Sequence, residues 1–180
     1  RAAMLKKMVE VLRANAMDLA MLDAANCGNP IREMSRDAVV AAMQIDLFAG
    51  FVTEIKGDTI PMGEGVVNMS VREPYGVVGR IVAYNHPIMF TAAKAAPPLV
   101  AGNTVVMKPP YQAPLSSYRM MELLEGILPP GVLNIVTGGA ECGQALVGHP
   151  LVPRVSLVGS VPTGRAIARA AAERLKHVSL

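Results

Sequence analysis

The chain has 180 residues, enough for one large domain with a sizeable buried core. It is 52% apolar and 17% charged, which excludes a disordered or low-complexity chain. The net charge of +3 is spread over single residues, with Lys6-Lys7 the only adjacent basic pair; without a basic stripe or aromatic platform, nucleic-acid binding is not expected.

In chain order, Met4, Leu5, Met8, Val9, Leu12, Leu19 and Leu22 recur at three- and four-residue steps, with Lys6, Lys7, Glu10 and Arg13 between them. This spacing predicts a helical segment that breaks at the turn-forming stretch Asn26-Cys27-Gly28-Asn29-Pro30. A second helix is expected over 31–51. Short strands at 59–61 and 66–71, bounded by Gly57, Gly63 and Gly65, read as a hairpin.

After Pro74 strands and helices alternate. Strands are expected at 77–84, 104–108, 132–136, 154–158 and 177–180, and helices at 87–101, 115–128, 141–149 and 163–174. The strands are nearly continuous apolar runs, as in strands buried on both faces. Five strands joined by helical crossovers predict a Rossmann-like, doubly wound parallel sheet of the α/β class, preceded by the helical lead-in and the hairpin. Lys94 and Pro97-Pro98 interrupt the longest apolar stretch before the ~18 residues that a membrane span needs. Cys27 and Cys142 have no metal-ligand spacing and no disulfide framework is evident, so no metal is expected and a reducing, cytoplasmic setting is.

In an open α/β sheet, ligands bind beyond the carboxyl ends of the strands. Here those ends lead into Asn85-His86, Lys108-Pro109-Pro110, Thr137-Gly138-Gly139 and Gly159-Ser160. An amide, a lysine and glycine-containing turns before helix N-termini suit a nucleotide. Each piece also has a plainer reading. Asn85 could cap the helix that Pro87 opens, Lys108 could be a solvated strand end, and the glycines could serve turn geometry alone. The stretch "GSVPTG" matches neither the dinucleotide fingerprint nor the P-loop, because Arg165-Ala166 replace Lys-Ser/Thr.

The segments "RAAMLKKMVEVLRAN", "GDTIPM", "EPYGVVGRIVAYNHP", "AAKAAPPLVAGNTVVMKPP", "LPPGVLNIVTGG" and "LVGSVPTGR" resemble the aldehyde dehydrogenase superfamily over essentially the whole chain. The resemblance implies a helical lead-in over 1–56, a strand hairpin over 57–75 used in subunit association, and a Rossmann-like region over 76–180 that binds NAD or NADP. It also implies a homo-oligomer, a dimer or tetramer. In such enzymes a cysteine thiolate attacks the aldehyde, a thiohemiacetal gives a thioester, and water activated by a Glu releases the carboxylic acid. Asn85 matches the amide that stabilises the oxyanion. Lys108 matches the lysine on the adenosine ribose, and Ala83 and Tyr84 match backbone neighbours of the cofactor. Gly139, Gly143, Gly159, Ser160, Thr163 and Gly164 fall in the region around adenine and pyrophosphate. His86 and Phe90 match positions lining the substrate tunnel.

Tyr111 stands where the family often has a Glu that grips the ribose, which leaves the choice between NAD and NADP open. The matching segments stop at "HVSL", before those that hold the nucleophilic Cys and the general-base Glu in relatives. The resemblance therefore implies the cofactor-binding part of such an enzyme. A non-catalytic nucleotide-binding or subunit-association module, and an acylating relative that uses CoA, are the alternatives.

Overall fold

The computed structural model describes all residues from Arg1 to Leu180. The three- and four-residue spacing of the first fifty residues is realised as α1 (Ala2–Ala14), α2 (Ala16–Cys27), the short α3 (Ile31–Met34) and α4 (Asp37–Ala49), followed by a 3₁₀ turn at Gly50–Thr53. The stop at Gly28 falls where its sequence requires: φ is +79°, and its N–H donates to the Ala24 carbonyl.

Two further breaks were not expected, and both coincide with side chains that bond the preceding turn. Asn15 Nδ2 donates to the Val11 carbonyl at 2.9 Å, and Ser35 Oγ donates to the Arg32 carbonyl at 3.0 Å. Short polar side chains compete in this way with helix propagation. The single helix expected over 31–51 is therefore two, hinged at Ser35-Arg36.

The hairpin pairs β1 (Thr59–Pro61) antiparallel with β2 (Val67–Met69), and its pairing is shorter than the run at 66–71 suggested. The alternating region then supplies β3 (Val77–Ile81), α5 (Pro87–Val100), β4 (Thr104–Lys108), α6 (Leu115–Leu123), β5 (Leu133–Ile135), α7 (Ala140–Gly148), β6 (Arg154–Leu157), α8 (Val161–Ala172) and β7 (His177–Ser179). All five of these strands are parallel, in the order β5-β4-β3-β6-β7. The chain winds outward from β3 through β4 to β5, then crosses to β6 and winds the other way. The expected doubly wound sheet is present, with its switch point between β3 and β6.

The period of two along the strands sorts their side chains onto two faces. Val105, Met107 and Leu133 enter one core with residues of α5 and α6, and that same core takes in Leu5, Met8 and Leu12 of α1 and Ile45 of α4. The lead-in is thus built into the interior that the sheet helps to form. Val155 and Leu157 face the other way, against Leu146 and Val147 of α7 and Ile167 and Ala171 of α8. Gly79 in β3 permits the close seating of α7: a Cβ there would lie 3.2 Å from Leu146 Cγ and 3.1 Å from Val152 Cγ1. No helix is long and apolar enough to cross a membrane.

Candidate functional site

At the carboxyl edge of the sheet, directly over the switch point, lies a cleft of about 1340 Å³. Its floor is the end of β3 (Ile81, Val82) and of β6 (Leu157, Val158). Around it stand the expected residues Ala83, Tyr84, Asn85, Phe90, Lys108, Tyr111, Gly139, Gly143, Gly159, Ser160 and Thr163. Four separate strand-to-helix turns contribute, which is why residues as far apart in sequence as Ile81 and Ala170 meet here.

Two expected residues do not line the cleft. Gly164 is buried within α8, where an added Cβ would meet Leu157 and Leu180 at 3.7 Å. His86 turns away: its Nδ1 lies 2.9 Å from Oδ2 of the buried Asp37, and its ring meets Phe90 edge-on.

The charge among the residues that line the cleft is of one sign. Lys108 is its only charged side chain, and no carboxylate lines it. Lys108 is 8% exposed, and its Nζ has a single protein partner, the Pro109 carbonyl at 3.3 Å. An ammonium group has three donors, so two remain for a ligand.

Two helix N-termini add their unpaired N–H groups and positive dipole ends. That of α8 is capped by Ser160, whose Oγ accepts from Thr163 N at 3.4 Å. That of α7 follows Gly139, which has no side chain to cap it, and carries Glu141 in its first turn, with the carboxylate lying against Gly139. Gly138, at φ +155°, brings the chain in so closely that a Cβ would sit 2.7 Å from Cys142 Cβ. A buried, under-satisfied ammonium beside two helix N-termini fits a polyanionic ligand such as a dinucleotide pyrophosphate. The exposed rings of Tyr84 and Tyr111 offer flat surfaces to a base or ribose at the rim.

Asn85 is not the cap that the sequence allowed. His86 occupies the N-cap position of α5, and the Asn85 side chain makes no hydrogen bond within the chain. The capping oxygen comes instead from α2: Asp23 Oδ2 accepts from Ile88 N at 3.0 Å. Asp23 is fully buried, and that burial raises its pKa to about 6, against the opposing effects of Ser116 and the Ile88 N–H. Burial likewise raises the Asp37 carboxyl, with His86 opposing. The Asn85 carbonyl accepts from Asn29 Nδ2 at 2.6 Å, so the amide group is left free at the cleft.

Sequence reasoning missed Gln112 and Gln144, the remaining polar residues of the lining, and the apolar wall of α8 formed by Ala166, Ile167 and Ala170. The helical period placed 163–174 as a helix but carried no sign of which face met the cleft. Gln112 follows Tyr111 by one residue, and nothing in its immediate sequence marks it.

The fold and cleft define a doubly wound α/β protein with a switch-point site receptive to anions. The aldehyde dehydrogenase family model matches residues 1–180, and the chain belongs to that family. It is 48% identical to aldehyde dehydrogenase tropH of Talaromyces stipitatus over 183 residues, covering 100% of this chain and 36% of that protein. Among solved structures, an aldehyde dehydrogenase from Bacillus cereus in complex with NAD+ superposes with a TM-score of 0.95 at 34% identity. The match covers 99% of this chain and 37% of that one. A 3,6-anhydro-L-galactose dehydrogenase solved with NADP also gives a TM-score of 0.95, at 35% identity, over 99% of this chain and 38% of that one. The chain thus spans a little over a third of the length of its relatives.

Proposed function

We propose that this chain forms the cofactor-binding part of an enzyme that oxidises an aldehyde to a carboxylic acid with NAD or NADP. The observation that carries the reading is the switch-point cleft, where Lys108 and two helix N-termini face a volume with no carboxylate in it. When bound, the dinucleotide supplies a two-electron acceptor.

The chain's own residues would hold and orient it. Lys108 donates to the adenosine ribose, and Ala83 and Tyr84 run along the cofactor. Gly139, Gly143, Gly159, Ser160, Thr163 and Gly164 shape the region around adenine and pyrophosphate, with Gly164 acting from within α8. Tyr111 replaces a carboxylate at the ribose, so no negative charge opposes a 2′-phosphate. Asn85 donates its free amide N–H to the oxygen of the aldehyde as negative charge grows there. Phe90 borders the substrate's path, and His86 acts from behind it. The nucleophile and general base belong to the part of the enzyme that relatives possess beyond this span.

The association role of residues 57–75 is supported by exposed apolar side chains on the hairpin: Ile60, Met62, Val66, Val67, Met69 and Val71 all face outward. We place the whole protein in the cytoplasm as a homo-oligomer, a dimer or tetramer.

The test is to assay the full-length protein for NADH or NADPH formation with a panel of aldehydes, alongside calorimetric titration of each dinucleotide. Release of free acid, with binding lost in Lys108→Ala, supports the reading. Absence of dinucleotide binding would sink it, and acyl-CoA formation in place of acid would replace hydrolysis by acyl transfer.

A further inference from the structure

The turn that carries Asn85 receives almost nothing from its own backbone. Ala83, Tyr84 and Asn85 make no backbone–backbone hydrogen bond, and both Tyr84 and Asn85 are exposed. Such a segment has no internal reason to hold one conformation. Yet an oxyanion donor must be held within a fraction of an ångström of its productive position, since charge stabilisation depends on a preorganised geometry.

What does hold the turn is a set of polar side chains from the far-separated lead-in. Asn29 Nδ2 donates to the Asn85 carbonyl at 2.6 Å. Asp37 Oδ2 grips the ring of the next residue, His86, at 2.9 Å. Asp23 Oδ2 accepts from Ile88 N two residues further on, at 3.0 Å. The same stretch reaches the other rim of the cleft, where Asn26 Oδ1 accepts from Leu115 N at 3.1 Å and its Nδ2 donates to the Gln112 carbonyl at 3.4 Å. Asp23 and Asp37 are buried carboxylates, a costly choice for a role that ordinary packing could fill.

We propose that the 23–37 segment is a positioning clamp, in which Asn29 and Asp37 fix the Tyr84-Asn85-His86 turn and so aim the Asn85 amide into the cleft. The proposal rests on the oxyanion role given to Asn85 above. Asn29 and Asp37 touch neither substrate nor cofactor; they act through the turn. Asn29 sets the plane of the peptide that follows Asn85, and Asp37 fixes where His86 leaves it. Both tethers act on the C-terminal side of Asn85, at its own carbonyl and at the next residue, and so restrict the backbone on which its side chain turns.

The experiment compares Asn29→Ala, Asp37→Ala and Asp37→Asn in the full-length enzyme, each alone and combined with Asn85→Ala. Asn29→Ala and Asp37→Ala should each lower kcat on the order of 10-fold, the scale of a small misplacement of a catalytic group. KM for aldehyde and the calorimetric Kd for NAD should stay within about twofold, because Lys108 and the helix N-termini are untouched. Asp37→Asn keeps an acceptor for the His86 ring and should recover most of kcat, which also covers the case in which Asp37→Ala fails to fold.

The deciding readout is the double variant. If Asn29 acts through Asn85, then Asn29→Ala should cost nothing further once Asn85 is Ala. A loss of kcat equal in both backgrounds, a Kd for NAD that weakens in step with kcat, or unchanged kcat in the single variants would each overturn the clamp. A wild-type enzyme without aldehyde oxidation, or an Asn85→Ala variant with normal kcat, would overturn the functional reading and the clamp with it.

Discussion

Tyr111 stands exposed at the rim of the cleft, with Lys108 three residues before it and no carboxylate in the cleft lining. A Glu at this position would accept hydrogen bonds from ribose hydroxyls and repel a 2′-phosphate. Tyr111→Glu should therefore raise the NAD-to-NADP ratio of kcat/KM by roughly 10-fold or more, the effect of one discriminating charged contact. Steady-state kinetics with both dinucleotides check it, and a ratio that does not move would take Tyr111 away from the ribose.

Asp23 makes a different kind of prediction. Its carboxyl pKa is raised from 3.8 to about 6 by burial, so the folded chain holds this proton more tightly than the unfolded chain. The stability that the proton confers is complete below the unfolded value and is lost as pH rises from about 4 to about 6. At ~1.4 kcal/mol per pKa unit the loss is about 2–3 kcal/mol. Asp23→Asn cannot ionise and still offers an oxygen to Ile88 N. Its melting temperature should exceed that of the wild type at about pH 7.5 and lie close to it at about pH 4.5. A gap of the same size at both pH values would mean that Asp23 is not the group responsible. Asp23 illustrates what remained hidden in the sequence: an acid among alanines in a helix carries no mark of the Ile88 amide it will cap 65 residues later. Asn85 is the converse, since its place before Pro87 spoke for a cap, and Asp23 had already taken that role in space.

At the scale of elements, the strands were the most legible. Thr104–Lys108 was read to the residue, because apolar runs bounded by Asn103 and Pro109 leave little freedom. The helices of the lead-in were less so: Asn15 and Ser35 interrupt a sound apolar period through side-chain bonds that a period does not encode. Gly79 tests how tightly the elements are seated. Alanine is compatible with a strand, but its Cβ would press on Leu146 and Val152 at about 3.1–3.2 Å, and α7 would have to move. Gly79→Ala should cost about 1–3 kcal/mol, as overpacking does, seen as a lower urea midpoint with an unchanged m-value. Because the start of α7 borders the cleft, dinucleotide affinity should fall with it. Unchanged stability would mean that α7 can shift freely.

For the molecule as a whole, the parallel doubly wound sheet and the edge on which the cleft lies followed from alternation and crossover handedness, whereas the strand order β5-β4-β3-β6-β7 emerged only in the structure. So did the closeness of the lead-in to the site. Its helices precede the hairpin, and a reader of the chain divides them from the sheet at residue 56. In the folded molecule Leu5 and Ile45 share an interior with Val105 and Met107. Side chains from Asn26 to Asp37 reach both rims of the cleft.

That shared interior has a consequence for how the protein breathes. Segments that share a core tend to open as one cooperative unit. A ligand that binds only the closed form lowers the equilibrium population of the open form by the factor 1 + [L]/Kd. Saturating dinucleotide at the switch point should therefore protect the amides of α4 from deuterium uptake nearly as strongly as those of β4. The hairpin amides, paired in a separate two-stranded sheet, should exchange at their own rate with or without ligand. A fingerprint of slow exchange far from the cleft would be the kinetic trace of one interior serving two stretches of chain.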